Sequence, residues 1–410
     1  MEKTCLGVIF GSRSCEREVA IISAVQLMHH VDQDKYQVVP VYISSRGVWY
    51  TGEKLKEIGT FQNIEERLER SEEAQMGLEE VILDTTSGSG ALLAQRQGKG
   101  LFARTQEVVV SRLQVCIVVM HGLNGEDGTL QGMLEMANLP YTSTGVAGSA
   151  IGMDKIMMKQ FFRGADLPVL PGEWFTRTHW RADRKEVLDR VESAIGYPVF
   201  VKPANLGSSI GVSRADGRGK LQEALDLAFE YDRRVLVEKG LDHPLEFNCS
   251  VMGYDEDVQA SEIEMPLTGG EEMLSFFEKY LSSGPSKGMA SLQRQLPAPI
   301  EAPLKDEIQT LSKKIFRLLD CKGVVRIDYM YDVHEGKLYI TEINTIPGSL
   351  AFYLWEASGV KYRELIDRMV GYAKKAWEDR NERNYAYTSD ILSKVSLGTK
   401  GSKGKFGGVK

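Results

Sequence analysis

The sequence predicts a mixed α/β protein in three parts, opening on a parallel α/β unit and continuing through two further α/β blocks. Three observations predict it. An apolar run, a stretch with helical spacing and a second apolar run follow one another at Leu6–Phe10, Val19–Met28 and Gln37–Ile43. That is the strand–helix–strand order of a parallel unit, with functional loops at the strands' carboxyl ends. A continuous apolar strand, Val115–Met120, resumes the same core and ends at His121-Gly122. Two later strand pairs carry charged side chains on their arms: Pro198–Lys202 with Ile210–Ser213, and Val324–Tyr331 with Leu338–Asn344.

The first part is expected to span residues 1–152. Within it, 53–106 is polar, a charged helical stretch followed by Thr-Thr-Ser-Gly-Ser-Gly and Gln-Gly-Lys-Gly, and reads as a partly mobile surface insertion. The central part, 153–244, holds helices from Asp154 to Phe162 and from Arg184 to Ile195, then a hairpin with Lys202 on its entering arm, then a strand at Val235–Glu238. The third part, 245–378, has strands at Phe247–Met252, Val324–Tyr331 and Leu338–Asn344, with helices at Leu304–Leu319 and Tyr362–Trp377. Residues 379–410 turn polar and Lys/Gly-rich, the composition of a solvated tail.

Composition removes several classes of function. The chain has 410 residues, 42% hydrophobic and 26% charged, enough for two or three domain cores. A net charge of -7 argues against nucleic acid as the partner. No run approaches the roughly eighteen apolar residues of a membrane span, and the N-terminus lacks a secretory cleavage region. The five cysteines (Cys5, Cys15, Cys116, Cys249, Cys321) are scattered without metal-ligand or redox spacing. They read as reduced thiols of a cytoplasmic protein.

The sharpest chemical signal lies near the C-terminus. In Val324–Tyr329, Arg326 and Asp328 share a face by strand alternation, as do Glu342 and Asn344 in Tyr339–Asn344. A hairpin closed by Val333–Lys337 sets Asp328 opposite Glu342. Two carboxylates and an amide oxygen on one face suit Mg²⁺, which substrate phosphates complete; a plain solvated face is the alternative. Just beyond, Thr345-Ile346-Pro347-Gly348-Ser349 can expose backbone amides to an anion. The loop Asn205–Ser209 after Lys202 can wrap a phosphate, or be only a hairpin turn. His121, in a glycine-dense turn, is placed to face a ligand or to serve structure. Glu16 opens the first helix, either as a cap or as an anchor for a substrate ammonium.

In this order the pieces resemble the D-alanine–D-alanine ligase family of the ATP-grasp superfamily. The matching stretches are Ser14–Val19, His121–Glu135, Met153–Lys155, Val201–Gly211, Val237–Lys239, Glu278–Tyr280, Gly323–Asp328 and Glu342–Gly348, spread over residues 4–375 apart from 53–106. The resemblance implies a three-domain ATP-grasp fold, with ATP held between the sheets of the central and C-terminal domains. It implies that Lys155 and Lys202 contact phosphates, with Ser209 in the same nucleotide loop. Glu238, Lys239 and Leu241 would line the adenine pocket and Glu246 would take the ribose. Asp328, Glu342 and Asn344 would hold two Mg²⁺ ions, for which Mn²⁺ can substitute.

The same resemblance implies an acylphosphate route. A first D-alanine takes the γ-phosphoryl group and the amine of a second attacks the acyl carbon. Glu16 and His121 would hold the donor, Lys279 would neutralise the transferring phosphoryl group, and Arg326 with the Gly348 amide would stabilise the oxyanion. Ser208 and Tyr280 would meet Glu16 to close the site, and Tyr280 resembles the dipeptide makers. Family members tend to place a small hydroxyl residue where Tyr353 stands, flanked here by Phe352 and Trp355. That bulk is expected to reshape the acceptor pocket and leaves D-serine as an alternative acceptor. A non-catalytic ATP-binding regulator is the reading from another class. A homodimer is implied by the family only.

Overall fold

The computed structural model describes residues 2–98, 104–267 and 294–384, arranged around three sheets. The first sheet contains β1 (Thr4–Gly11), β2 (Tyr36–Ile43), β3 (Trp49–Thr51), β4 (Glu79–Leu83), β5 (Ala91–Gln97), β6 (Thr105–Arg112) and β7 (Val115–Val119), in the order β6-β5-β4-β3-β2-β1-β7. β1 pairs parallel with both β2 and β7. Leu6–Phe10, Val38–Ile43 and Val115–Val119 read as apolar runs because both faces of these strands are covered there. The helix Arg17–His30 lies against them through Ala20, Ala24 and Leu27, all fully buried.

The 53–106 stretch departs from the surface insertion expected of it. It supplies β4, β5 and most of the partner register of β6, which continue the sheet as antiparallel strands. Its polar composition reflects an outer face left in solvent, while Leu55, Met76, Leu78, Val81 and Leu92 join the main core.

The central sheet is antiparallel, with β8 (Gly172–Thr176), β9 (Val199–Pro203), β10 (Ser213–Ala215) and β11 (Arg234–Lys239) in the order β10-β9-β11-β8. The partner strand of β9 begins at Ser213, later than the expected Ile210–Ser213, because residues 205–212 form a longer loop. Val199 and Val201 face the helices Arg184–Ala194 and Arg218–Tyr231, so Lys202 points to the opposite face.

The third sheet runs β14-β13-β12-β15-β16, from β12 (Leu245–Tyr254), β13 (Asp257–Pro266), β14 (Arg294–Gln295), β15 (Gly323–Asp332) and β16 (Lys337–Asn344). The helix Ala302–Leu318 shares a core with Phe247, Val325, Ile327, Tyr329, Ile340 and Ile343. By alternation Asn248, Arg326 and Asp328 emerge on the other face. The last helix, Tyr362–Asn381, buries Leu365, Ile366, Met369 and Val370 in the core of the first sheet. No helix among the described residues is long and apolar enough to cross a membrane.

Candidate active site

The β15–β16 hairpin builds the acidic face. Asp328 pairs with Glu342 and Arg326 with Asn344, the register expected from the sequence. A bulge then follows, since Tyr329 pairs with Ile340 and Thr341 is left over. Thr341 fixes it by donating its hydroxyl to the Asp328 carbonyl oxygen at 2.8 Å. The bulge lets Ile340 and Ile343 both enter the core while Glu342 and Asn344 stay on the open face, which strict alternation would not allow.

On that face Arg326 grips Asp328 with two hydrogen bonds of 2.7 Å, and Asn344 donates to the same carboxylate at 3.0 Å. Burial pushes the Asp328 carboxyl up despite its arginine, and Glu342 and Glu264 push it the same way. A cation is what this crowding of negative charge favours. Among the described residues no group of three or more His, Cys, Asp or Glu side chains is arranged for a metal. The oxygen set here is two carboxylates and one amide.

Across from it stand lysines. Lys155, at the start of the helix Lys155–Gly164, lies 3.4 Å from Glu342 and donates to the Leu206 carbonyl oxygen at 2.8 Å. Lys202 lies 2.8 Å from Glu238, and Lys159 reaches the other oxygen of Glu238 at 2.6 Å. Burial alone would raise the Glu238 carboxyl, but the two ammonium groups outweigh it and hold it low. Burial likewise opposes the charge on Lys202, and Glu238, then Glu342 and Glu246, outweigh it and raise it. Lys159 escaped the sequence reading. Its only signal was a lysine one helical turn beyond Lys155, on the buried side of an amphipathic helix. Of the residues expected around the adenine and ribose, Lys239 donates to the Tyr197 carbonyl oxygen at 2.8 Å, Leu241 is partly buried beyond the end of β11, and Glu246 sits on β12 opposite Met330.

A hydrogen bond from the Ser208 loop to Glu16 joins the first and central parts of the chain. Glu16 precedes the helix Arg17–His30 without capping it by a side-chain hydrogen bond. Its carboxylate instead accepts the hydroxyl of Ser208. A Cβ at Gly207 would meet the Glu16 carboxylate oxygens at 2.7 and 2.8 Å, so glycine is what permits the approach. Ser208 and Ser209 hold left-handed backbone, φ 51° and 59°, which costs of order 1–3 kcal/mol each in L-residues.

His121 uses both ring nitrogens. Nδ1 meets the Ile346 carbonyl oxygen at 2.8 Å and Nε2 meets the Ser23 hydroxyl at 3.3 Å. Ser23 in turn accepts the Ser349 amide at 2.9 Å. A consistent set of donors follows: Ser349 N–H to Ser23, Ser23 O–H to Nε2, and Nδ1–H to Ile346. The imidazole is therefore neutral, and burial pushes it down to about 4. Glu126, absent from the sequence candidates, makes the parallel link. It accepts Gly122 N–H at 2.9 Å and Ile346 N–H at 3.0 Å, and burial, then Glu16, pushes it up to about 8. Between them these two residues hold the turn that carries Gly348. Immediately after it Ser349, Leu350 and Ala351 are all left-handed, φ 49° to 55°.

Tyr353, just past the left-handed run, donates to Glu264 at 2.8 Å, and the Arg294 guanidinium stacks 4.2 Å from its ring centroid. The tyrosine hydroxyl is already committed. Lys279 and Tyr280 lie outside the described residues.

Comparison with known proteins decides the family. The family model for the D-ala D-ala ligase N-terminus matches residues 5–144, and that for the D-ala D-ala ligase C-terminus matches 161–371. The chain belongs to the D-alanine–D-alanine ligase family. It is 35% identical over 387 residues to the D-alanine–D-alanine ligase of Thermosipho africanus, covering 94% of this chain and 98% of the relative. It is 37% identical over 391 residues to that of Heliobacterium modesticaldum, covering 93% and 98%. Among solved structures, the D-alanine–D-alanine ligase of Coxiella burnetii shares the fold at TM-score 0.73 and 24% identity, over 93% of this chain and 97% of that one. The VanG D-Ala:D-Ser ligase of Enterococcus faecalis matches at TM-score 0.73 and 27% identity, over 91% and 100%. The fold is the mixed α/β ATP-grasp type, and as a ligase of this family the protein is an ATP-dependent enzyme.

Proposed function

We propose that this protein joins two D-alanines into D-alanyl-D-alanine at the expense of ATP, in the cytoplasm, for peptidoglycan precursor synthesis. The observation that carries the reading is the acidic hairpin face of Asp328 and Glu342 set against Lys155, with Lys202 nearby and Glu16 joined to Ser208. Residues 1–152 form the donor domain, and 153–244 and 245–378 the two halves that grip ATP.

The donor set fits Mg²⁺: hard oxygen donors only, on one face, with repulsion that a cation relieves. Asp328, Glu342 and Asn344 would hold the ions. When bound, Mg²⁺ or Mn²⁺ shields the phosphate charge and polarises the transferring phosphoryl group. Lys155 and Lys202 rest on carboxylates here and would exchange them for phosphate oxygens, Lys279 adding charge at the γ-phosphate. Glu238, Lys239, Leu241 and Glu246 would border the nucleoside, with Ser209 at the phosphates.

The chain's own residues then work by placement. Glu16 holds the donor's ammonium so that its carboxylate meets the γ-phosphate. His121 is a positioning residue: it fixes the turn that brings the Gly348 amide beside Arg326, where the tetrahedral oxyanion forms. Ser208 and Tyr280 close over Glu16 and exclude water that would hydrolyse the acylphosphate. We also propose a homodimer.

The test is ATP-dependent phosphate release with Mg²⁺ over single and paired D- and L-amino acids, with product masses read in parallel. D-alanine alone is expected to yield phosphate and D-alanyl-D-alanine. A product only when D-serine or another acceptor is paired with D-alanine would overturn the acceptor assignment, and silence across the panel would overturn ligation.

A further inference from the structure

Away from the acidic hairpin, a cavity of about 350 Å³ opens between the first sheet's domain and the last helix, lined among others by Tyr141, Gly145, Lys322, Trp377, Arg380 and Arg383. Lys322 is only 8% exposed. Its ammonium sits 3.3 Å from the centroid of the Tyr141 ring. Among the described residues no carboxylate forms an ion pair with it and no acceptor hydrogen-bonds it. The acid that acts on it most strongly is engaged elsewhere: Glu135 accepts the Tyr141 hydroxyl at 2.7 Å and lies 3.7 Å from Arg380. A buried cation left facing a cavity is costly unless something completes it.

We propose that this cavity is a second ligand site, taking a small organic monocarboxylate against the Lys322 ammonium. Charge sets the anion. Lys322, Arg380 and Arg383 supply three positive charges, Glu135 and Asp320 two negative, so the lining carries one net positive charge. A monoanion balances it. The walls set the body: Tyr141, Trp377, Leu139 and Pro140 offer aromatic and apolar surface that a bare inorganic anion would leave uncovered. Burial pushes Lys322 down to about 7, with Glu135, Asp320 and Arg380 as its charged neighbours. Arg383 and the Tyr254 phenol complete the titratable lining. Binding therefore strengthens as pH falls through neutrality and the lysine gains its proton. The location gives such a ligand leverage. Tyr141 belongs to the first domain, Trp377 and Arg380 to the last helix, and Lys322 directly precedes β15, which carries Arg326 and Asp328.

Benzoate serves as the probe, titrated calorimetrically into the full chain with and without saturating ADP and D-alanine. Saturable binding is expected in both conditions, with benzamide silent. Lys322→Gln is expected to weaken benzoate about tenfold or more, the loss of a charged hydrogen bond. Arg383→Ala, on an exposed rim residue that leaves the core untouched, is expected to weaken it less, with unfolding temperature preserved. No saturable binding, binding abolished by ADP and D-alanine, or equal affinity in both variants would each overturn the proposal.

Discussion

Acidification should release the His121 clamp, and its size follows from the ring's surroundings. His121 is 3% exposed, and burial moves it from an ordinary 6.5 to about 4. A depressed histidine contributes stability that is present above the unfolded value and is lost as pH falls through the folded one. The window is therefore pH 6.5 to 4. Its size, the difference of two and a half units at about 1.36 kcal/mol each, is roughly 3 kcal/mol. The hydrogen bonds give the structural reason: a proton on Nε2 would point at a Ser23 hydroxyl already turned toward that nitrogen, so Ser23 must rotate and Ser349 loses its partner's orientation. The assay is urea denaturation of the wild type and His121→Asn across that window. The variant is expected to start less stable at neutral pH, and to lose about 3 kcal/mol less on acidification. Parallel stability profiles for the two proteins, or an imidazole titration by NMR centred near 6.5, would refute the neutral, doubly engaged ring.

Other substitutions probe the remaining parts of the site. Glu342→Gln should abolish turnover while the unfolding temperature holds, because it removes a ligand charge from a partly exposed strand position; near-normal ligation would sink the metal assignment. Glu238→Gln leaves Lys159 and Lys202 facing each other without their carboxylate, and should cost about 3–5 kcal/mol by denaturation, together with weaker ATP binding. Gly207→Ala puts a methyl group against the Glu16 carboxylate and should raise the KM for the donor D-alanine far more than that for ATP; equal shifts in both would move Glu16 away from the donor. Glu126, raised to about 8, contributes stability that is complete below the ordinary carboxyl value and is lost as pH rises to 8. Glu126→Gln should flatten the stability profile on that alkaline side, and an unchanged profile would show the carboxyl to be ionised throughout.

Much of this was legible in the residues, and what was missed has physical causes. Parallel strands buried on both faces announce themselves as apolar runs, so β1, β2 and β7 were readable to within a residue or two. The register that places Asp328 opposite Glu342 was readable because a short hairpin leaves few alternatives. The bulge at Thr341 was not, since only the core's demand for both Ile340 and Ile343 requires it. The strands within 53–106 were hidden because antiparallel strands with one wet face carry as many polar residues as a loop. Lys159 and Glu126 were invisible for a different reason. Each acts through a partner far along the chain, Glu238 and Ile346 respectively, and a single sequence records no such pairing.

The left-handed run at Ser349, Leu350 and Ala351 explains why the clamp exists at all. Three L-residues in that region cost about 1–2 kcal/mol each, so the turn does not hold its shape by local preference. Leu350 and Ala351 are nearly or fully buried, which anchors the far side. The near side is tied at Ile346 by His121 and Glu126, and at Ser349 by Ser23. Every one of those ties comes from the first domain, while Arg326 and Asp328 come from the third sheet. The turn that carries Gly348 is thus held by contacts that cross from one domain to the other. It follows that loosening the first domain's hold, at His121 or Ser23, should lower kcat while leaving ATP affinity near normal. Damage at Lys202 or Glu238 should do the reverse. Measuring both constants in both classes of variant separates a turn that positions the oxyanion donor from one that merely packs.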